Sequence, residues 1–107
     1  MALEQVDGNG FDAKVKNDPG VVVVDFYGKE CAPCKKLLPI VEEVAGEFSG
    51  KVKFVKCDIE EAEDVAVGYE VYAVPTLVFF KGGKPVVRIT GFQNKERITA
   101  QIKPHLS

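Results

Sequence analysis

The stretch that most constrains the fold is residues 21–36, VVVVDFYGKECAPCKK. It opens with four consecutive valines and continues through Asp25 to Tyr27, and an uninterrupted β-branched run predicts a parallel strand covered on both faces. Gly28 ends this run. After Cys34, apolar residues recur at intervals of three and four, the spacing of a helix with one buried face. They are Leu37, Ile40, Val41, Val44, Ala45 and Phe48. The stretch therefore predicts a buried strand, a short loop, a Cys-Ala-Pro-Cys tetrapeptide and a helix.

The placement of the two cysteines at the predicted helix start indicates redox chemistry. We expect Cys31 at or just before the first turn, where unpaired backbone N–H groups and the helix dipole stabilise a thiolate. Cys34 lies one turn further on the same side, close enough for the two sulfurs to bond. Pro33 suits a first turn because it has no N–H to donate. The pattern predicts an exposed nucleophilic thiol with a less accessible resolving thiol behind it.

Length and composition narrow the class of protein. A chain of 107 residues predicts one domain, spanning residues 1–107. The net charge of -2 shows no basic excess, so we expect neither nucleic acid nor an anionic membrane as a partner. The first residues lack the pattern of a signal peptide and no apolar run reaches the length of a membrane span, so we expect a cytoplasmic protein. In a reducing compartment, Cys-x-x-Cys indicates redox or metal chemistry rather than a structural disulfide.

The rest of the chain predicts the element order βαβαβαββα. Its first half implies a right-handed parallel crossover and its second half an antiparallel hairpin followed by a helix. We therefore expect an α/β fold with a central mixed sheet and helices on both faces. The elements predicted outside the opening stretch are a strand at 3–6, a short helix at 11–16, strands at 51–59, 76–80 and 85–90, an acidic helix at 60–67, a hairpin turn at 81–84 and a last helix at 94–104.

Five segments, in this order and spacing, resemble the thioredoxin family over nearly the whole chain. They are VDFYGKECAPCK at 24–35, the proline inside the helix at Pro39, FVKCDIEE at 54–61, YEVYAVPTLVFFKGGK at 69–84 and GFQNKERI at 91–98. The resemblance implies the thioredoxin fold. It also implies an enzyme, a protein-disulfide reductase and electron carrier that acts by dithiol–disulfide exchange with no cofactor and no metal.

The resemblance assigns catalytic roles to three residues and a supporting role to a fourth. Cys31 resembles the thiol that attacks a substrate disulfide, and Cys34 the thiol that resolves the mixed disulfide and closes the redox disulfide Cys31–Cys34. Asp25 matches the family's buried acid below the cysteine pair. Burial should raise the pKa of this carboxyl and allow it to accept the Cys34 proton. Lys56 matches the lysine that pairs with this acid in relatives.

The resemblance also implies a docking rim for substrate around Cys31. Pro75 matches the family's cis-proline, which would present the Val74 backbone to an extended peptide. The rim would consist of Glu30, Ala32, Pro33, Val74, Pro75 and Gly91.

The chain departs from its relatives beside the first cysteine. They usually carry tryptophan where this chain has Glu30, and glycine where it has Ala32. A carboxylate beside the nucleophile should oppose its thiolate. Three lysines that we expect to be exposed should favour it, and salt screens both effects. They are Lys29, Lys35 and Lys36.

The expected partners are thioredoxin reductase, a flavoenzyme linked to NADPH or ferredoxin, and disulfide-containing substrate proteins, with the chain acting as a monomer. Three alternatives stay open. Glu30 could restrict the protein to one dedicated partner with a basic or polar rim. The chain could be a binding module whose cysteines do not cycle. The cysteine pair could be half of a zinc site, although only Cys57 and His105 remain as further ligands. Cys57 lies in an apolar strand, which favours a buried structural role over a regulatory thiol.

Overall fold

A computed structural model describes residues 3–106. The strands are β1 (Glu4–Gln5), β2 (Val21–Tyr27), β3 (Val52–Asp58), β4 (Thr76–Lys81) and β5 (Lys84–Thr90). The helices are a short π-helix (Asp12–Lys16), α1 (Ala32–Glu47), α2 (Glu63–Gly68), α3 (Lys95–Ile102) and a 3₁₀ turn (Lys103–His105). This order confirms the predicted succession of strands and helices. None of the helices in the described part of the chain is long and apolar enough to cross a bilayer.

The five strands form one mixed sheet in the order β1-β3-β2-β4-β5. β1, β3 and β2 run parallel, whereas β4 is antiparallel to β2 and β5 is antiparallel to β4. The β4–β5 hairpin turns at Gly82 and Gly83, whose φ angles of 60° and 80° lie in the region that glycine adopts without a steric cost. The predicted parallel half and antiparallel hairpin are confirmed.

The valine run of β2 is buried on both faces of the sheet. Successive side chains of a strand point to opposite faces. Val21 and Val23 join one apolar cluster with residues of α1 and α3, while Val22 and Val24 join a second cluster with the short helix and α2. A strand of this kind has no solvent face, so its sequence needs no polar alternation. The predicted helices on both faces are confirmed.

Helix α2 begins later than the acidic sequence suggests. We expected it from Glu60, but it begins at Glu63. The Asp58 carboxylate accepts a hydrogen bond from the Glu60 N–H at 2.8 Å, and the Asp58 carbonyl accepts one from the Ala62 N–H at 2.9 Å. These bonds hold residues 58–62 in a turn, because a short carboxylate competes with the helical pattern for backbone donors.

Candidate active site

Helix α1 begins at the cysteine pair. Cys31 is its N-cap residue, with an extended backbone, and its sulfur accepts a hydrogen bond from the Cys34 N–H at an N–S distance of 3.1 Å. Pro33 occupies the first turn, where no N–H is required. The predicted position of Cys31 is confirmed. A donor aimed at its sulfur, together with the helix dipole, favours negative charge on this atom.

Cys31 and Cys34 form a disulfide with a Cα–Cα distance of 5.2 Å. The fractional exposure is 9% for Cys31 and 4% for Cys34, so the expected order of accessibility is confirmed. The expectation of an openly exposed nucleophile is wrong in degree. The loop at Gly28 lies next to Cys31, since a Cβ atom built on Gly28 would lie 3.8 Å from the Cys31 Cβ.

Asp25 is a buried acid within β2, as predicted, with a fractional exposure of 1%. Its side chain lies on the same face of the sheet as that of Val23, which is the face that α1 covers. Burial raises the pKa of its carboxyl from 3.8 to about 7, and the charge of Lys56 opposes this shift. Among the described residues, its Oδ1 atom has no hydrogen-bond partner.

A cavity of about 130 Å³ joins the acid to the resolving cysteine. Its walls are Asp25, Tyr27, Gly28, Lys29, Cys34, Lys35, Leu38 and Lys56. The space exceeds the ~30 Å³ that one water occupies in the liquid. The structure therefore brings the predicted acid and the predicted resolving thiol to the same small chamber behind the disulfide.

Lys56 lies opposite Asp25 in the register between β3 and β2. Its Nζ atom stands 5.8 Å from the centroid of the Tyr27 ring, where it makes a cation–π contact. Although both residues are described, the structure contains no ion pair between Lys56 and Asp25. Lys56 therefore acts on the acid through its nearby charge rather than through the direct pairing that we expected.

Three of the predicted docking residues, Val74, Pro75 and Gly91, are brought together by the fold. The Val74–Pro75 peptide bond is cis, as expected, and the Pro75 carbonyl accepts a hydrogen bond from the Gly91 N–H at 2.8 Å. Gly28 lies next to both Val74 and Cys31, since a Cβ atom built on it would lie 3.5 Å from Val74 Cγ2 and 3.8 Å from Cys31 Cβ. The remaining predicted rim residues are exposed at the surface, namely Glu30, Ala32 and Pro33.

Comparison with known proteins identifies the family. The sequence model of the thioredoxin family matches residues 2–104. The chain is 42% identical to the thioredoxins of Staphylococcus epidermidis and Staphylococcus aureus, and 41% identical to that of Staphylococcus saprophyticus. Each alignment covers 106 residues, 99% of this chain and 100% of the relative. The chain belongs to the thioredoxin family.

Thioredoxins catalyse thiol–disulfide exchange, and the Cys31–Cys34 disulfide at the start of α1 supplies the reacting groups. The protein is a thiol–disulfide oxidoreductase of the thioredoxin type. Thioredoxin reductase and disulfide-containing proteins are its partners by family membership. Within residues 3–106, no group of three or more His, Cys, Asp or Glu side chains is arranged to hold a metal ion.

Lys29 is placed differently from our expectation for this thioredoxin-family site. Its Nζ atom lies 3.2 Å from Glu61 Oε1 and 3.8 Å from Asp58 Oδ2. Lys29 is exposed, as we expected, with 58% of its side chain accessible, but two carboxylates that we did not anticipate balance its charge and weaken the support that it gives the Cys31 thiolate. The sequence signal was weak, because only the β2–β3 register brings Tyr27, two residues before Lys29, opposite Asp58.

Two exposed aromatic residues flank the rim and were missed in the sequence. Tyr72 precedes Val74 by two residues and is 76% exposed, and Phe92 follows Gly91 and is 48% exposed. Their signal was an aromatic side chain in each of two loops that carry rim residues. With Val74, they add apolar surface on the side of Cys31 formed by the loops before β4 and after β5.

Proposed function

We propose that this protein is a general protein-disulfide reductase in which Cys31 attacks and Cys34 resolves. The Cys31 thiolate attacks one sulfur of a substrate disulfide, and the other substrate sulfur leaves as a thiolate. Cys34, deprotonated, then attacks the Cys31 sulfur, which releases the second substrate thiolate and closes the Cys31–Cys34 disulfide. Two electrons pass to the substrate. The carrying observation is the hydrogen bond from the Cys34 N–H to the Cys31 sulfur, which singles out Cys31 for the thiolate.

Asp25 accepts the Cys34 proton in the resolving step. A carboxyl whose pKa is about 7 gains and loses a proton near neutral pH, which suits a general base. Asp25 and Cys34 line the same cavity, which has room for water to carry the proton between them. Lys56 assists by holding the pKa of Asp25 below the value that burial alone would set.

Substrate docks on the rim around Cys31. An extended segment of the substrate bonds to the Val74 backbone next to Pro75 and covers Ala32, Pro33 and Gly91, while Glu30 stands at its edge. Support comes from the proximity of Val74 to Cys31 across Gly28 and from the hydrogen bond that links Gly91 to Pro75. The exposure of Ala32 and Pro33 leaves this surface open to a partner.

The remaining features follow from this function. We expect a cytoplasmic monomer, and residues 1–107 as one domain, because both apolar clusters share a single sheet. A flavoenzyme linked to NADPH or ferredoxin reduces the Cys31–Cys34 disulfide after each turnover. Turnover with either class of purified reductase tests the electron source, and size-exclusion chromatography tests the oligomeric state.

Reduction of insulin by dithiothreitol tests the general reductase activity. The protein should accelerate precipitation of the insulin chains, and no acceleration over dithiothreitol alone would refute the proposal and favour a non-cycling binding module. The Cys34→Ser variant should trap mixed disulfides that peptide mapping places at Cys31. Trapping at Cys57 would overturn the assignment of the nucleophile.

The reduction potential separates a reductase from other thioredoxin-like roles. We expect the Cys31–Cys34 pair, equilibrated with glutathione or a reference dithiol, to be strongly reducing. A markedly oxidising value would favour an oxidase, an isomerase or a role with one dedicated partner. The dedicated-partner candidate draws support from one observation, the exposed Glu30 next to the nucleophile.

A further inference from the structure

The loop that precedes Cys31 has a negative charge balance, because its lysine is already engaged. Lys29 forms ion pairs with Glu61 and Asp58, and the hydrogen bond to Glu61 raises the pKa of Lys29. Asp58 is itself buried, so its carboxylate is held in place under the ammonium group. The positive charge of Lys29 is therefore balanced by Asp58 and Glu61 and does little to offset the charge of another carboxylate nearby.

Glu30 is that further acid, and it has no counter-ion. It is exposed directly before Cys31, and within residues 3–106 it takes part in no hydrogen bond or ion pair. Lys29 thus interacts with the carboxylates of Asp58 and Glu61, and Glu30 adds a further carboxylate, without an ion pair, next to Lys29 in the sequence. Lys35 follows the cysteine pair on α1, and with Lys29 and Lys56 it lines the cavity that holds Asp25.

The two loops that carry the other rim residues present apolar side chains. Val74, Tyr72 and Phe92 lie on the loops before β4 and after β5, and both aromatic residues are largely exposed. A substrate that docks on the rim therefore meets a carboxylate directly before Cys31 and apolar side chains on these two loops. This arrangement discriminates between substrates by charge, because complementary charges speed encounter and like charges oppose it.

We propose that Glu30 is a specificity-determining residue that favours protein disulfides flanked by lysine or arginine. The inference rests on the proposed reductase function and names the class of substrate that the same site prefers. A basic side chain beside the attacked sulfur meets the unpaired Glu30 carboxylate, whereas an acidic one is repelled by it. A single exposed ion pair changes the ratio of rates by about two- to fivefold at low salt.

Two disulfide-closed peptides, identical except for lysine or glutamate beside one cysteine, test this inference. Because the chain has no tryptophan, single turnovers of the reduced protein are followed by acid quench and chromatography. The lysine peptide should react about two- to fivefold faster at about 0.01 M salt, and the ratio should fall toward one at about 1 M salt. Glu30→Gln should lower the ratio.

Glu96→Gln is the matched control, because it removes the same charge from an exposed position on α3. It should keep the wild-type ratio. Equal rates for both peptides, or the same ratio in Glu30→Gln as in wild type, would overturn the inference. If neither peptide nor insulin is reduced, the reductase function itself fails, whereas reduction of both peptides at one rate removes only the specificity.

Lys29→Gln tests whether the ammonium group of Lys29 neutralises part of the negative charge beside Cys31. Removing its ammonium group leaves Glu61 and Asp58 uncompensated, so the preference for the lysine peptide should increase. A smaller preference than in wild type would mean that other charges set the specificity, and it would overturn the inference.

Discussion

Replacing Asp25 by alanine should stabilise the oxidised protein at neutral and alkaline pH. Burial raises the pKa of this carboxyl from 3.8 to about 7. Each pH unit between the two values corresponds to about 1.4 kcal/mol, so the ionised carboxylate costs about 4 kcal/mol of the free energy of unfolding. The alanine variant lacks this cost. Its smaller side chain loses some packing, which adds an offset that does not depend on pH.

The stabilisation should appear only in a defined pH window. Below about pH 4, Asp25 is protonated in both the folded and the unfolded chain, so its titration contributes nothing. Between about pH 4 and pH 7, the unfolded chain has lost this proton and the folded chain retains it. The stability of the wild type should therefore fall by about 1.4 kcal/mol per pH unit relative to the variant, and then level off above pH 7.

Urea unfolding of the oxidised proteins at a series of pH values measures this difference by circular dichroism. Asp12→Ala is the control, because it removes a carboxylate that is exposed on the short helix rather than buried in the sheet. The buried Asp58 is present in every variant, so it does not contribute to the difference in free energy of unfolding between them. The free energy of unfolding of Asp25→Ala minus that of the wild type should rise between pH 4 and pH 7. A constant value would refute a raised pKa for Asp25, and a falling value would mean that its pKa is lowered.

Three further predictions concern the rest of the chain. Burial raises the pKa of Cys57 to about 11, so iodoacetamide should not label it in the folded, reduced protein at pH 8, and rapid labelling would contradict its structural role. Gly83→Ala should destabilise the protein in urea more than Gly82→Ala. Both positions have positive φ, but only at Gly83 would the new Cβ lie 2.0 Å from the Lys16 carbonyl oxygen, and equal losses would argue against this contact. Asn94→Ala should cost about 1 kcal/mol in the same assay, because it removes the α3 N-cap, and an unchanged midpoint would contradict the capping role.

The elements that the sequence predicted well depend on local patterns. The valine run predicts a buried strand and the three-and-four spacing after Cys34 predicts a helix, and the structure forms both as β2 and α1. The positions of Cys31 and Pro33 at the start of α1 follow from the chemistry of a helix N-terminus. Burial of Asp25 follows from its place inside an apolar strand. These inferences needed no knowledge of distant contacts.

The start of α2 and the exposure of Cys31 were less predictable, because each depends on a contact with a residue outside the local sequence pattern. The acidic run 60–64 looks helical from its first residue, but the Asp58 side chain binds the backbone there and delays the helix. Cys31 has the spacing of an exposed thiol, but it is only 9% exposed, and the loop at Gly28 lies next to it. Competition for a backbone donor and packing from another segment are decided only when the chain is folded.

The sequence by itself determined the order of elements, the redox pair at a helix start and the burial of Asp25 within an apolar strand, since residue type and spacing set all three, whereas the place of Asp25 below the pair was implied by the family resemblance. The tertiary structure alone decided where the lysines go. Lys29 bonds to Glu61 and Asp58 rather than facing Cys31, and Lys56 rests over the Tyr27 ring rather than pairing with Asp25. A lysine side chain is long and flexible, so its partner depends on which carboxylates and rings the register of β2 against β3 brings within reach.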